Sequence, residues 1–258
     1  MEIQNVLIYF IGTAGSGKST LTYKYQQWLT RQGFDSITIN LDPGAEKLGY
    51  EPDIDIREWV KLNEIMEEYQ LGPNGAQIVC ADMLALKINE VKKLLGGFKS
   101  NYVLVDTPGQ MELFTFRKAS TVVIDTLGSD NAVLAFLYDP LIASVPNGFV
   151  SLTMLAATLQ FRFNLPMVSL LSKVDMIGLD DLNKMLDWSK DIELLFNDYM
   201  ETSGDVTDHF NFELLKVLES MELIKELIPT SSETGEGMAE IYTLCQNVFM
   251  AGDDLTPS

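Results

Sequence analysis

Histidine is nearly missing from this chain: His209 stands alone among 258 residues. That excludes a histidine-rich zinc site and leaves one candidate imidazole base, in an acidic stretch far from the motifs below. Two cysteines, Cys80 and Cys245, are too few for a disulfide framework and lack metal-type spacing. Basic residues are scarce too, with Lys+Arg 18 against Asp+Glu 37 and a net charge of −19. Such a surface repels phosphate backbones and anionic lipid, so neither nucleic acid nor membrane is an expected partner. Any phosphate must be held by a few local cations and by backbone N–H groups. No apolar run reaches the roughly 18–20 residues of a membrane span. The stretch Met1–Asn5 also has no basic segment of the signal-peptide kind. A reducing cytoplasm is the expected compartment.

What is present is ordinary for a globular chain: 47% apolar and 21% charged residues. Short runs rich in Val, Ile, Leu and Phe alternate with longer amphipathic stretches. The runs Val6–Ile11, Ser36–Leu41, Tyr102–Asp106, Ala132–Tyr138, Pro166–Ser172 and Lys225–Pro229 read as strands. Several are continuously apolar, as in strands covered on both faces of a parallel sheet. Helices are expected over Lys18–Gln32, Glu58–Tyr69, Gln77–Leu95, Arg117–Leu127, Gly148–Phe161 and Ala239–Met250. The alternation predicts an α/β fold, a doubly wound and mainly parallel sheet flanked by helices, with helical insertions. One domain is expected over 1–252, with insertions at about 56–97 and 179–223 and a tail at 253–258. The residues from 180 to 222 carry twelve Asp/Glu against three Lys, read as a solvated helical face or a docking surface for a basic partner. The apolar stretch Phe149–Phe163 reads as core, with a client surface as the alternative.

Gly12-Thr13-Ala14-Gly15-Ser16-Gly17-Lys18-Ser19 fits G-x-x-x-x-G-K-[ST]. Small residues let consecutive N–H groups converge on a phosphate, and the helix that follows, with Thr20 in its first turn, aims its positive end there. Lys18 is placed to reach β- and γ-phosphate oxygens, and the Ser19 hydroxyl to coordinate Mg²⁺. Tyr102–Asp106 continues into Thr107-Pro108-Gly109-Gln110. An apolar strand ending in Asp places a carboxylate beside Mg²⁺, Gly109 can offer its N–H to a γ-phosphate, and Gln110 stands where a side chain orients the attacking water. Ser172-Lys173-Val174-Asp175 follows another apolar run. The Asp175 carboxylate can accept the adjacent N1–H and N2–H₂ of guanine, a pair adenine does not offer, with Lys173 across the base. Serine at 172 departs from the usual Asn/Thr-Lys-x-Asp pattern. The loop from Thr230 to Gly237, with Ser231 and Ser232, suits a backbone N–H contact to guanine O6. In this order the motifs predict a GTP-binding hydrolase.

Leu71-Gly72-Pro73-Asn74-Gly75 reads on turn chemistry alone as a tight turn between helices, Pro fixing φ and Asn or Gly taking positive φ. With Asn40-Leu41-Asp42-Pro43-Gly44-Ala45 and the motifs above, however, the chain resembles the GPN-loop GTPases. The resemblance implies a homodimer with GTP and GDP as substrate and product and Mg²⁺ as cofactor. The Gly72-Pro73-Asn74 loop of one subunit would enter the other's site. Asn74, Gln110, Asp42 and Lys18 would form the catalytic set, Asp42 lying by the metal and γ-phosphate. Ser19 and Asp106 would serve the metal. It also implies protein clients, such as RNA polymerase subunits or assembly factors.

None of the four arginines, Arg31, Arg57, Arg117 and Arg162, lies inside a motif. Arg57 and Arg117 stay open as finger candidates. If neither serves, a neutral amide from a partner subunit can stabilise developing charge. Two rival readings are a P-loop kinase acting on a small metabolite and a scaffold that holds GTP without hydrolysing it. The shortage of arginine for a lid weighs against the kinase. Turnover by a dimeric, Mg²⁺-loaded sample separates enzyme from scaffold.

Overall fold

The structure, a computed structural model, describes residues 5–202 and 206–250. Chain order is β1 (Val6–Gly12), α1 (Lys18–Arg31), β2 (Ser36–Asn40), β3 (Ile54–Asp55), α2 (Leu62–Tyr69), α3 (Pro73–Leu95) and β4 (Tyr102–Asp106). Next come α4 (Met111–Thr115), α5 (Lys118–Leu127), β5 (Ala132–Tyr138), α6 (Pro140–Ala143), α7 (Pro146–Phe163) and β6 (Met167–Leu171). The chain closes with α8 (Leu179–Lys190), α9 (Ile192–Thr202), α10 (Val206–Ser220), β7 (Leu227–Pro229) and α11 (Met238–Met250). The expected tail at 253–258 lies outside the described residues.

The strands form one sheet in the order β3-β2-β4-β1-β5-β6-β7. Every pairing is parallel. All seven residues of β1 are buried, and their side chains alternate between two cores. Leu7, Tyr9 and Ile11 join the face covered by α3, α5 and α7. Val6, Ile8 and Phe10 join the face covered by α1 and α11, with Tyr25, Tyr102 and Ile241. Because the strands run the same way, their C-terminal ends share one edge. The connection from β1 to β2 runs over one face toward one edge, and that from β4 to β5 runs over the other face toward the opposite edge. The crevice at such a reversal is where open α/β sheets bind ligands.

The expected α/β architecture is the observed one, and the six expected strands lie within two residues of their places. The two-residue β3, paired at Ile39 with Ile54 and Asn40 with Asp55, is too short for a periodic pattern to show. The Gly-Pro-Asn segment corrects the expected turn. Gly72 is the N-cap of α3 and Pro73 its first residue, so Asn74 and Gly75 are helical. Proline's fixed φ suits a first helical turn, which needs no N–H from it. The positive φ falls instead on Gln70, at 52°, which closes α2. Phe149, Leu152, Ala156 and Leu159 of α7 are buried, so that helix packs as core, with Phe161 exposed.

Candidate active site

The loop leaving β1 wraps back over the sheet edge into α1. Gly12 permits this close approach: a Cβ there would lie 2.8 Å from Ser16 Oγ and 2.9 Å from the Leu137 carbonyl oxygen. Gly17 caps α1 with φ at 95°, a left-handed conformation that glycine adopts without penalty. Lys18 is buried and donates from Nζ to the carbonyls of Gly12 and Thr13, each at 2.9 Å. Burial lowers its pKa, while the carboxylates of Asp106 and Asp42 raise it. The buried hydroxyls of Thr13 and Ser16 have no partner. Ala14, Gly15 and Thr20 are exposed, and Ser19 is half-buried.

Asp106 ends β4 with 1% exposure. Burial pushes its carboxyl up to about 6, against the opposing pull of the Ser19 hydroxyl, Lys18 and Tyr50. Its Oδ2 accepts from the Tyr50 hydroxyl at 3.2 Å, while its buried Oδ1 has no partner. Asp42 bridges two loops: Oδ1 accepts from Gly44 N at 2.8 Å and Oδ2 from Gly109 N at 2.8 Å. Asn40 steadies it, accepting from Asp42 N at 3.0 Å. Gln110, exposed, is the N-cap residue of α4. A cleft of about 280 Å³ opens between Ala14, Asp42, Gly44, Gly109, Gln110 and the flank of α3.

At the other end Lys173, with φ at 54°, donates to the Gly15 carbonyl and to Asp139 Oδ2 at 2.9 Å. It thereby ties the loop after β1 to the end of β5. Ser172 is buried and donates to the Tyr138 carbonyl at 3.1 Å, so the hydroxyl that replaces Asn/Thr braces the same strand end. Asp175 is exposed, and its Oδ1 accepts from the buried Ser231 hydroxyl. Ser231 Oγ in turn accepts from Glu233 N and Thr234 N, each at 3.1 Å. Ser232 is half-buried beside it.

The sheet edge thus gathers Gly12 through Ser19, Asp42, Asp106, Gly109, Gln110, Lys173, Asp175 and Ser231. Gly72, Pro73 and Asn74 stand exposed at the start of α3, and no described contact joins Asn74 to these groups. Arg57 is held by both carboxylate oxygens of Asp55 and donates to the Ala45 carbonyl at 2.8 Å. Arg117 is ion-paired with Asp82. Each finger candidate thus has a carboxylate partner outside the motifs. Sequence reasoning missed Tyr50, whose contact with Asp106 spans 56 residues and whose ring stacks on Tyr23 at 5.7 Å. It also missed Asp139, which had a readable signal: a carboxylate directly after an apolar strand, as at Asp106.

A glycine-rich loop between a central parallel strand and a helix, with a buried lysine and a carboxylate on the adjacent strand, defines a P-loop nucleotide-binding protein. A family profile described as "Conserved hypothetical ATP binding protein" matches residues 10–251. A GPN-loop GTPase of Pyrococcus abyssi is 31% identical over 253 residues, 97% of this chain and 100% of that one. GPN-loop GTPase 1 of Dictyostelium discoideum is 30% identical over 254 residues, 97% of this chain but 62% of that protein's length. The crystal structure of an apo-form GTPase from Pyrococcus abyssi superposes with a TM-score of 0.84 at 30% identity, covering 94% of this chain and 96% of that one. The chain belongs to the GPN-loop GTPase family.

Proposed function

We propose that this protein binds GTP along the carboxyl edge of its sheet and hydrolyses it to GDP and phosphate. The carrying observation is that the phosphate loop and the Asp175–Ser231 pair are joined by Lys173, which contacts Gly15 at one end of the site and precedes Asp175 by two residues. Thr13, Ser16 and the N–H groups of the loop are available to phosphate oxygens, and Lys18 can exchange its carbonyl partners for them. Gly109 N–H can pass from Asp42 to a γ-phosphate oxygen. Gln110 stands beside the same cleft to orient the attacking water.

Ser19 and Asp106 fit a Mg²⁺ ion, because the unpartnered Asp106 Oδ1 is a buried oxygen with an unmet need for a positive partner. Bound there, the ion would spread phosphate charge as a Lewis acid. Among the described residues no cluster of three or more His, Cys, Asp or Glu could hold a metal, so phosphate oxygens and water have to complete the shell. The proposal includes a homodimer in which exposed Asn74 serves the partner's site, a cytoplasmic location, and protein clients such as RNA polymerase subunits or assembly factors. Its support is the family and the exposure of Pro73 and Asn74.

The profile's description names ATP, whereas the residues favour guanine: Asp175 is a fixed, exposed acceptor. Calorimetry on the parent chain separates the two. GTP is expected to bind well ahead of ATP. Asp175→Asn should lose about 10–100-fold in GTP affinity, the worth of about 1.5–3 kcal/mol for a charge-assisted hydrogen bond, and gain xanthosine triphosphate. Equal affinity for ATP and GTP, or an unchanged Asp175→Asn, refutes the guanine reading. Phosphate release without a metabolite acceptor separates hydrolase from kinase and from scaffold.

A further inference from the structure

The wall of the cleft beside Gly109 and Gln110 is one face of α3. Gln77, Cys80, Ala81 and Leu84, at helical spacing i, i+3, i+4 and i+7, line it opposite Asp42 and Ala14. Three of these offer no ordinary hydrogen bond. Gln77 does, and its Oε1 is buried without a partner. Its amide also sits close to the loop that carries Asp42. A Cβ built on Gly44 would lie 3.3 Å from Asp42 Oδ1 and 3.7 Å from Gln77 Nε2. Leucine or methionine would complete this apolar wall and leave nothing unsatisfied. Gln77 therefore brings an acceptor without a donor to the wall of the same cleft that Gly109 and Gln110 line.

We propose that Gln77 is a catalytic residue of GTP hydrolysis, its Oε1 accepting a hydrogen bond from the attacking water. The inference rests on the GTPase reading above and adds to it a residue of this chain's own α3, one turn beyond Asn74. In the step, the water oxygen forms a bond to the γ-phosphorus while the bond from γ-phosphorus to the β–γ bridging oxygen breaks, and GDP leaves with that electron pair. An amide oxygen is too weak a base to keep a proton. Gln77 therefore aligns the water lone pair, and the proton passes to a γ-phosphate oxygen, leaving as inorganic phosphate. Gln110 and Gln77 hold the water from two sides. Fixing a nucleophile in line accounts for large rate factors in such reactions.

The test compares the parent with Gln77→Leu, nearly equal in volume and apolar, and Gln77→Asn, which withdraws the amide by one methylene. Single-turnover hydrolysis with Mg²⁺, affinity for GDP and for a non-hydrolysable GTP analogue, and affinity for GDP with aluminium fluoride are measured on each. Gln77→Leu is expected to slow hydrolysis about 100-fold, in the range for loss of one aligned polar group. Affinity for GDP and the analogue should change less than about twofold, while the aluminium fluoride complex weakens in step with the rate, as differential binding requires. A packing role would instead move melting temperature and ground-state affinity and spare the rate constant. Parental hydrolysis by Gln77→Leu overturns the proposal. If that variant does not fold, parental hydrolysis by Gln77→Asn overturns it equally. A parent that binds GTP without turnover refutes the GTPase reading and this inference together. An active parent with an indifferent Gln77 refutes this inference alone.

Discussion

Asp106→Asn should make the empty protein more stable and the loaded protein useless. Asp106 is 1% exposed, and burial raises its carboxyl from an ordinary 3.8 to about 6. That displacement corresponds to about 3 kcal/mol between the protonated and ionised forms. A carboxyl raised on folding stabilises the folded chain below its unfolded value, and this contribution fades as pH climbs through the folded value. Its window here runs from 3.8 to about 6. At pH 7.5 the charge is fully present and its cost is greatest. Asparagine keeps the shape without the charge, so the variant should gain up to about 3 kcal/mol at that pH, or about 6–12 °C in melting temperature for a chain near this size. At pH 5 the parent already carries the proton most of the time, and the advantage should shrink by about half. The assay is thermal unfolding of nucleotide-free protein in EDTA at both pH values, beside Mg²⁺-dependent GTP hydrolysis at pH 7.5. A variant no more stable than the parent at pH 7.5, or one whose advantage is unchanged at pH 5, refutes the reasoning. So does a variant that hydrolyses GTP at the parental rate.

Gly12→Ala places a methyl 2.9 Å from the Leu137 carbonyl. It should cost about 1–3 kcal/mol through overpacking and weaken GTP by more than tenfold, read by unfolding and calorimetry. Ser231→Ala removes the donor to Asp175 and the acceptor for Glu233 N and Thr234 N. At about 1 kcal/mol for a hydrogen bond, GTP should bind about fivefold more weakly while tripolyphosphate is unaffected; equal losses for both ligands count against a role at the base. Chelating Mg²⁺ should stop GTP turnover and adding it back should restore it, so phosphate release that persists in EDTA refutes the metal assignment.

The sheet was legible because its strands are buried on both faces, and burial on both faces demands the unbroken apolar runs that sequence displays, as in Ala132–Tyr138. The phosphate loop was legible because its chemistry is local: Gly12 to Ser19 are neighbours in sequence and in space. Groups that meet across the fold were not. Tyr50 lies in a connection without period and reaches Asp106 from 56 residues away. Gln77 looked like one more helical residue until the helix was seen to face the cleft. The start of α3 was misplaced because Gly-Pro-Asn-Gly is strong turn chemistry, and the same proline is equally suited to open a helix. The bracing by Ser172 was half visible: the hydroxyl was there to be counted, but its acceptor at Tyr138 belongs to another strand.

The hydrogen bond from Gly109 to Asp42 has a consequence for binding. Together with Lys18 resting on Gly12 and Thr13, it means that several of the groups a triphosphate would engage already have partners within the chain. Nucleotide entry is therefore a swap of partners, and departure is cushioned, since Asp42 and the loop carbonyls take back what the ligand releases. Measured affinity for the triphosphate should fall short of what a tally of phosphate contacts implies.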